Sequence, residues 1–590
     1  MAKKLIPFGE ENFKDLIQNN CYYVDKTFIL KTLFSDDLGN KVSLIVRPRR
    51  FGKTLTMSMI KHFLQINTIN VNDTSEAQTL FKDTFIFKDD DFCKRYLGQY
   101  PVIFISLKSI DRNNFKSAYQ ALGSTIFELA CNFDYLLDSD KLSDIDRDFI
   151  KKLLDEDYLI DFDNSNFLIS SLQRLSYCLN KHFDKKVVML IDEYDVPLAK
   201  AASFGYYSSM HGIISSMLNK ALKGNDYIQK AILTGCLRVA KESIFTGLNN
   251  LSVNSVLSKD PQLASAIGFT QSEVNDLLCY YGISSQSETV KKWYDGYRFY
   301  TTEMYCPWDV VNFCHDAIRH LEDNNITVSN YWMGTSSNDV IKDFLGFISG
   351  ENTDKLQELV DGKSVKIALN ENLNYDDLEQ HNPIDFWSKL VYTGYLTVCN
   401  LDLQNNDLEL YEVKIPNEEI RECFIKNVLN YFSGPYSSQY KDTSLKIADY
   451  AINADITNFK IGIKNALNGY ISIRDTASKE PKENFYHGFL NGLFSNSAKK
   501  FDSYYSNTES GNGYADIMFT SATGEIGVII EIKYSKDSTS IEQLSLNALK
   551  QIDDNNYKDK FIKNSSIKKI HAYGICFHKK DCYVALKELS

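Results

Sequence analysis

Three stretches hold residue types that could work on phosphates. Residues 47–54, RPRRFGKT, close with Gly52, Lys53 and Thr54 in the order of a phosphate-binding loop. In such a loop the lysine reaches the β and γ phosphates of ATP and the threonine hydroxyl coordinates Mg2+. Arg47 stands where the general pattern G-x-x-x-x-G-K-[ST] has its first glycine, and Pro48 removes an amide from the cradle. Two readings stay open at this point, a nucleotide site and a lysine opening an ordinary amphipathic helix. Residues 185–195, KKVVMLIDEYD, run from Val187 to Ile191 without a polar residue and end in Asp192 and Glu193. Asp192 would hold Mg2+ through water and Glu193 would polarise the attacking water; the plainer alternative is an acidic strand end at a surface turn. In the last fifth of the chain Asp516, Glu531 and Lys533 form the pattern D-x14-E-x-K.

That last pattern suits hydrolysis of a phosphodiester, which needs an in-line water and one or two Mg2+, with Mn2+ as a substitute, held by carboxylates. Asp516 and Glu531 read as the metal-holding pair, with the Ile532 carbonyl beside them. Lys533 reads as the group that orients or deprotonates the water. Glu483, on the preceding helix, reads as an outer metal ligand, and His487 one turn later is either a second catalytic group or a plain hydrogen-bonder. An E-x-K on a strand is commonplace, so the reading rests on order: helix Glu, hairpin Asp, strand E-x-K, then another helix. Glu412 and Lys414 in YEVKIP repeat the E-x-K, but lack a Gly-x-x-Asp strand upstream and run into Pro416, which marks a decoy.

The elements that must position these groups are legible from periodicity. KVSLIV (41–46) is a strand feeding the loop, and KTLTMSMIKHFL (53–64) puts Leu55, Met59 and Phe63 on one helical face. The N-terminus of that helix would offer free amides and a positive dipole end to phosphates. PVIFISL (101–107) and KAILTG (230–235) complete four apolar strand-like runs separated by helical stretches. An extra strand between the two motifs and a Glu after the Asp are marks of the ATPase branch that includes AAA-type proteins. Thr234 sits where such enzymes place a polar sensor, and Arg238 just beyond it could neutralise phosphate charge; for both, a polar turn residue is the equal alternative. In the last fifth, GNGYADIMFT (511–520) is a turn and strand carrying Asp516. GEIGVIIEIKYS (524–535) is a strand that brings Glu531 and Lys533 to one face by its period of two.

Between these regions, aromatic-rich segments such as KKWYDGYRFY (291–300) read as a helical lid. DFWSKLVYTG with two strand runs around LQNNDL reads as a helix plus hairpin resembling a winged-helix unit. The 590 residues imply two to four domains. Net charge is −12, but residues 471–590 sum to +1 and the rest to −13, so the C-terminal fifth repels a polyanion least. Twelve cysteines without any C-x-x-C pair suggest reduced thiols, no disulfide partner and a cytoplasmic setting. Neither a signal peptide nor a membrane span is expected.

YYVDKTFIL (22–30), RPRRFGKTL (47–55), LIDEYDVPL (190–198) and LTGCLRVAKESIFTGLNNL (233–251) together resemble the AAA-ATPase-like proteins that carry a C-terminal PD-(D/E)XK nuclease-superfamily domain. In that family RPRRFGKT is the normal loop, so the resemblance implies a real nucleotide site, with Arg49 and Arg50 adding charge near the phosphates. It also implies a polar residue near the nuclease site on the helix after the E-x-K, a place Gln551 fills. Asp25 and Lys26 lie in a recurrent segment, where Asp25 reads most simply as a helix cap.

The expected fold is α/β. A P-loop NTPase (ASCE/AAA-like) domain, with a parallel sheet and helices on both faces, spans 1–260. A mostly helical lid and linker with a winged-helix-like hairpin spans 261–470, and an α/β restriction-endonuclease-like domain spans 471–590. The expected function is ATP binding and hydrolysis coupled to a metal-dependent nuclease acting on nucleic acid, DNA ahead of RNA, with oligomerisation open. The rival is a nucleotide-driven switch whose C-terminal domain only binds a protein or nucleic-acid partner.

Overall fold

The computed structural model describes residues 3–34, 40–237, 251–320, 326–332, 362–371, 382–400, 410–424, 446–470, 483–495, 500–511, 513–562, 566–579 and 581–589, with the short pieces 355–356, 358–359, 373, 497 and 564. The chain divides into two compact units. Met1–Ser337 with Gly362–Arg421 form the first, and Asn338–Asp361 with Glu422–Ser590 the second.

In the first unit, strands β1 (Val42–Val46), β2 (Val102–Ser106), β3 (Val187–Asp192), β4 (Ile228–Gly235) and β5 (Leu251–Asn254) form one sheet in the order β2-β3-β4-β1-β5. All its neighbouring strands run parallel. β1 and β3 are buried along their whole length, which explains runs of apolar residues in place of alternation. β4 lies between β1 and β3, so the ends of all three strands meet at one edge, where crevices in parallel sheets form. β5 is short and only half-buried, and its LSVN carries no apolar run by which to find it.

Helix Lys53–Leu64 follows β1 and is buried on most sides, with Met57, Ser58, Met59, Ile60 and Phe63 inside and Leu55 half-exposed. Helices Gln271–Tyr281, Ser287–Tyr294 and Pro307–Arg319 share their own core of Val274, Leu278, Tyr294, Tyr305 and Phe313, the expected helical lid. The hairpin of β6 (Tyr297–Phe299) and β7 (Thr302–Met304) interrupts them. Helix Pro383–Thr393 and the antiparallel strands β8 (Val365–Ala368), β9 (Thr397–Asn400) and β10 (Leu410–Lys414) give the helix-plus-hairpin foreseen near residue 390, with β8 added beside β10. Glu412 lies half-buried on β10 and accepts from Ser364.

In the second unit, strands β11 (Phe501–Ser510), β12 (Gly513–Ser521), β13 (Ile526–Tyr534), β14 (Lys569–His578) and β15 (Asp581–Leu589) form a sheet in sequence order. Only β13 and β14 pair parallel, with helix Ile541–Asp554 as the crossover between them. One face carries Ile517, Phe519, Val528, Ile530 and Ile532 against helices Ile456–Tyr470 and Glu483–Ser495. The opposite face carries Met518, Ile529 and Ala572 against Leu549 and Ile552 of the crossover helix. A boundary at 470/471 thus passes behind a helix whose Phe459 and Ile463 complete this core. The crossover helix approaches very closely at Gly574, where a Cβ would fall 2.1 Å from the Ser545 carbonyl oxygen.

Candidate functional site

At the converging ends of β1, β3 and β4 the phosphate-loop groups meet. Gly52 has φ +90 and ends the loop at the N-terminus of helix Lys53–Leu64, a backbone state that glycine adopts without strain. No side chain caps that helix end. Asp192 takes two hydroxyls at once: Thr54 Oγ1 donates to Oδ2 at 2.8 Å and Thr234 Oγ1 donates to Oδ1 at 2.5 Å. Lys53 is buried; its Nζ donates to the Arg47 and Pro48 carbonyls at 3.2 and 3.1 Å and lies 3.4 Å from Glu193 Oε1. Burial opposes its charge, but Cys236, Glu193, Asp192 and Asp195 outweigh that and raise its pKa. Asp192 is raised as well, by burial first and then by Glu193. The structure thus brings Gly52, Lys53, Thr54, Asp192, Glu193 and Thr234 together at one strand edge. Arg238 lies outside the described residues.

The remaining loop residues turn elsewhere. Arg47 is 1% exposed. Its guanidinium donates to Asn254 Oδ1 at 2.7 Å and to the Leu263 carbonyl at 2.9 Å, and stacks over Phe299. Arg50, at φ 71, donates to the carbonyls of Tyr331 and Trp332 at 3.1 and 2.8 Å and lies over Trp308. Its guanidinium therefore serves the lid, whereas the sequence reading assigned it to the phosphates. Arg49 is exposed at the loop. Pro48 abuts Gly394, and Phe51 packs on Tyr297 and Phe299.

In the second unit, the β12–β13 ladder closes at Ile517↔Ile530, so Asp516 and Glu531 come next in register. There the ladder opens. The Asp516 carboxylate accepts the Ile532 amide at 2.7 Å, and the Asp516 carbonyl lies 2.9 Å from His487 Nε2, which must donate because a carbonyl only accepts. His487 thus holds the strand that presents Asp516. Glu531 is 2% exposed, with Lys533 Nζ 3.4 Å from its Oε1. Both lie on the face covered by the crossover helix, by alternation with Ile530 and Ile532. Glu483 opens helix Glu483–Ser495 on the other face, with its first turn brought beside Asp516 by the His487 bond; its side chain is not among those described. Gln551 Nε2 donates to Tyr557 Oη at 3.4 Å, so its recorded bond ties the end of its own helix and not the acid pair. Among the described residues no three His, Cys, Asp or Glu side chains converge at metal-ligand range. Lys568, just before β14, pairs with Glu525.

Residues 7–245 match the family described as predicted AAA-ATPase, and residues 481–586 match the PD-(D/E)XK nuclease superfamily. The chain thus carries an AAA-ATPase-like domain at 7–245 and a PD-(D/E)XK nuclease-superfamily domain at 481–586. A curated relative, "Uncharacterized protein in vnfD 5'region" of Azotobacter chroococcum mcd 1, is 24% identical over 313 residues. The match covers 53% of this chain and spans about half, 52%, of that relative.

The AAA-ATPase-like unit holds groups that motif reading passed over. Asp195 sits three residues after Asp192, and Cys236 Sγ accepts from Lys53 Nζ at 3.5 Å; only the acidic repeat in DEYD signals the first, and nothing in the sequence signals the second. Lys26 donates to Glu273 Oε2 at 2.6 Å and to the Ser265 carbonyl at 2.9 Å, joining the N-terminal segment to the lid. The sequence reading makes Asp25 a helix cap, but the helix begins only at Ile29; Asp25 instead accepts the Thr27 amide at 2.9 Å in the turn before it, and also takes the Phe85 amide. Behind Arg50, the fully buried Asp309 and Glu419 face one another, far apart in sequence. Burial first, and then Asp309, pushes Glu419 up to about 9, well above the usual carboxylate range. A carboxyl that holds its proton more tightly when folded contributes most below its unfolded pKa and loses that contribution as pH approaches the folded value. The thermal midpoint of this unit should therefore fall as pH rises from about 5 to about 9. Glu419→Gln should flatten that fall; equal slopes in both proteins would refute the assignment.

Proposed function

We propose that the AAA-ATPase-like domain binds and hydrolyses ATP with Mg2+, and that the PD-(D/E)XK domain is a metal-dependent nuclease acting on DNA ahead of RNA, licensed by the nucleotide state. The observation that carries the first half is Asp192 bonded to both the Thr54 and Thr234 hydroxyls, with Lys53 and Glu193 paired beside it. Thr54 and Asp192 would hold the Mg2+, which supplies charge neutralisation at the phosphates when bound. Lys53 and the amides at the start of its helix bind phosphate oxygens, Thr234 orients Asp192, and Glu193 accepts the proton of the attacking water. In the second domain Asp516 and Glu531 would hold the metal, and Lys533, once released from Glu531, orients the water.

Among the described residues no helix is long and apolar enough to cross a membrane. The twelve cysteines are free thiols, which suits action in the cytoplasm. Wild type should release phosphate from ATP and cut linear, circular or single-stranded DNA with Mg2+ or Mn2+, faster with ATP than without. RNA offered in parallel tests the substrate class. Phosphate release without cleavage of any substrate would favour a nucleotide switch whose C-terminal domain only binds its partner.

A further inference from the structure

Asp195 is 3% exposed, and its Oδ2 accepts two successive amides, Cys236 N at 2.9 Å and Leu237 N at 2.8 Å. Its Oδ1 has no hydrogen-bond partner among the described residues. Tyr194 reinforces the link: its amide donates to the Thr234 carbonyl at 3.1 Å and its hydroxyl to the Leu237 carbonyl at 2.7 Å. Thr234 in turn bonds Asp192. Three of the four residues from Asp192 to Asp195 are therefore tied to the end of β4 and the two residues beyond it.

Glu193 lies within that tied stretch, at φ 52. A left-handed backbone at a residue other than glycine is strained and persists where the surroundings fix it. Here it leaves Glu193 directed at Lys53 while its neighbours face the strand end. The fit is close: a Cβ on Gly235 would sit 2.6 Å from Asp195 Oδ1 and 2.7 Å from Tyr194 Cε1.

We propose that Asp195 is a positioning residue for ATP hydrolysis: by gripping the Cys236 and Leu237 amides it holds the left-handed turn that aims Glu193 at the phosphates. This rests on the reading that the domain hydrolyses ATP. Losing two hydrogen bonds to a buried charge should lower kcat by roughly 30-fold or more, with affinity for a fluorescent ATP analogue unchanged within about 3-fold.

The test compares full-length wild type, Asp195→Ala and Asp195→Asn in phosphate release, analogue binding and hydrogen exchange of the 236–237 amides. In Asp195→Ala those amides should exchange about tenfold faster or more as the grip is lost. Asp195→Asn keeps an acceptor oxygen and should recover kcat to within about 5-fold of wild type. Normal kcat in Asp195→Ala, or parallel losses of binding and turnover in both variants, overturns the proposal. If Asp195→Ala does not fold, Tyr194→Phe removes only the Leu237 bond and should cut kcat by roughly 5-fold at constant KM; unchanged kcat there is equally fatal. A wild type that releases no phosphate overturns the hydrolysis reading itself, whereas an active wild type with an indifferent Asp195→Ala overturns only the positioning role.

Discussion

Glu531→Ala should abolish cleavage of every nucleic-acid substrate while ATP turnover stays close to wild type. The carboxylate is almost fully buried on β13, and burying a charge there is costly unless it serves a cation. Lys533 supplies that cation at 3.4 Å, and a divalent metal shared with Asp516 would supply a stronger one. Removing a metal-holding carboxylate should cost on the order of 1,000-fold or more in rate, about 4 kcal/mol of barrier. Filling the space with Glu531→Gln should give the same loss with less effect on folding, since the volume is kept. Comparable cleavage by wild type and Glu531→Gln, in a preparation freed of contaminating nuclease, would remove the nuclease reading.

Glu193→Gln should bind ATP as wild type does and hydrolyse it roughly 100-fold or more slowly, the usual worth of a general base. The amide keeps the size of the side chain and can still meet Lys53, so binding is spared, but it takes no proton from water. Lys53→Ala should differ in kind, losing analogue binding together with turnover, because the buried ammonium is the charge that meets the phosphates. The three proteins thus separate binding from chemistry. Equal phosphate release by wild type and Glu193→Gln would assign the proton to another group or show that hydrolysis is absent.

The parts of these sites that were legible in the sequence are those fixed by local period. The run from Val187 to Ile191 reads as a buried strand ending in Asp192 and Glu193, and the parallel sheet brings that end beside the loop after β1. Glu531 and Lys533 share a face because strands alternate. Contacts between distant segments left no such trace. Nothing in the sequence signals that Arg50, read as adding charge near the phosphates, also bonds the Tyr331 and Trp332 carbonyls, or that the Gln551 amide meets Tyr557. Asp309 and Glu419 are single acids in unrelated stretches, brought face to face only by the packing of the lid on the small three-stranded unit. β5 escaped notice because an edge strand of four half-polar residues has neither period nor apolar run.

The side chains of Arg47, Pro48, Arg50 and Phe51 in the phosphate loop all reach beyond residue 245, where the AAA-ATPase match ends. Arg47 finds its acceptors at Asn254 and Leu263, Pro48 rests on Gly394, Arg50 on Tyr331 and Trp332, and Phe51 on Tyr297 and Phe299. A fragment cut at that boundary would keep every motif residue up to Thr234 and still lose the fifth strand of the sheet. It would strip the Arg47 guanidinium of its Asn254 and Leu263 acceptors and leave it only the Val46 carbonyl, a fault worth on the order of a few kcal/mol and a large share of a domain's total stability. The smallest piece that can fold around a nucleotide is therefore larger than the stretch that identifies it, and truncation experiments should begin beyond Arg421, where the first unit ends.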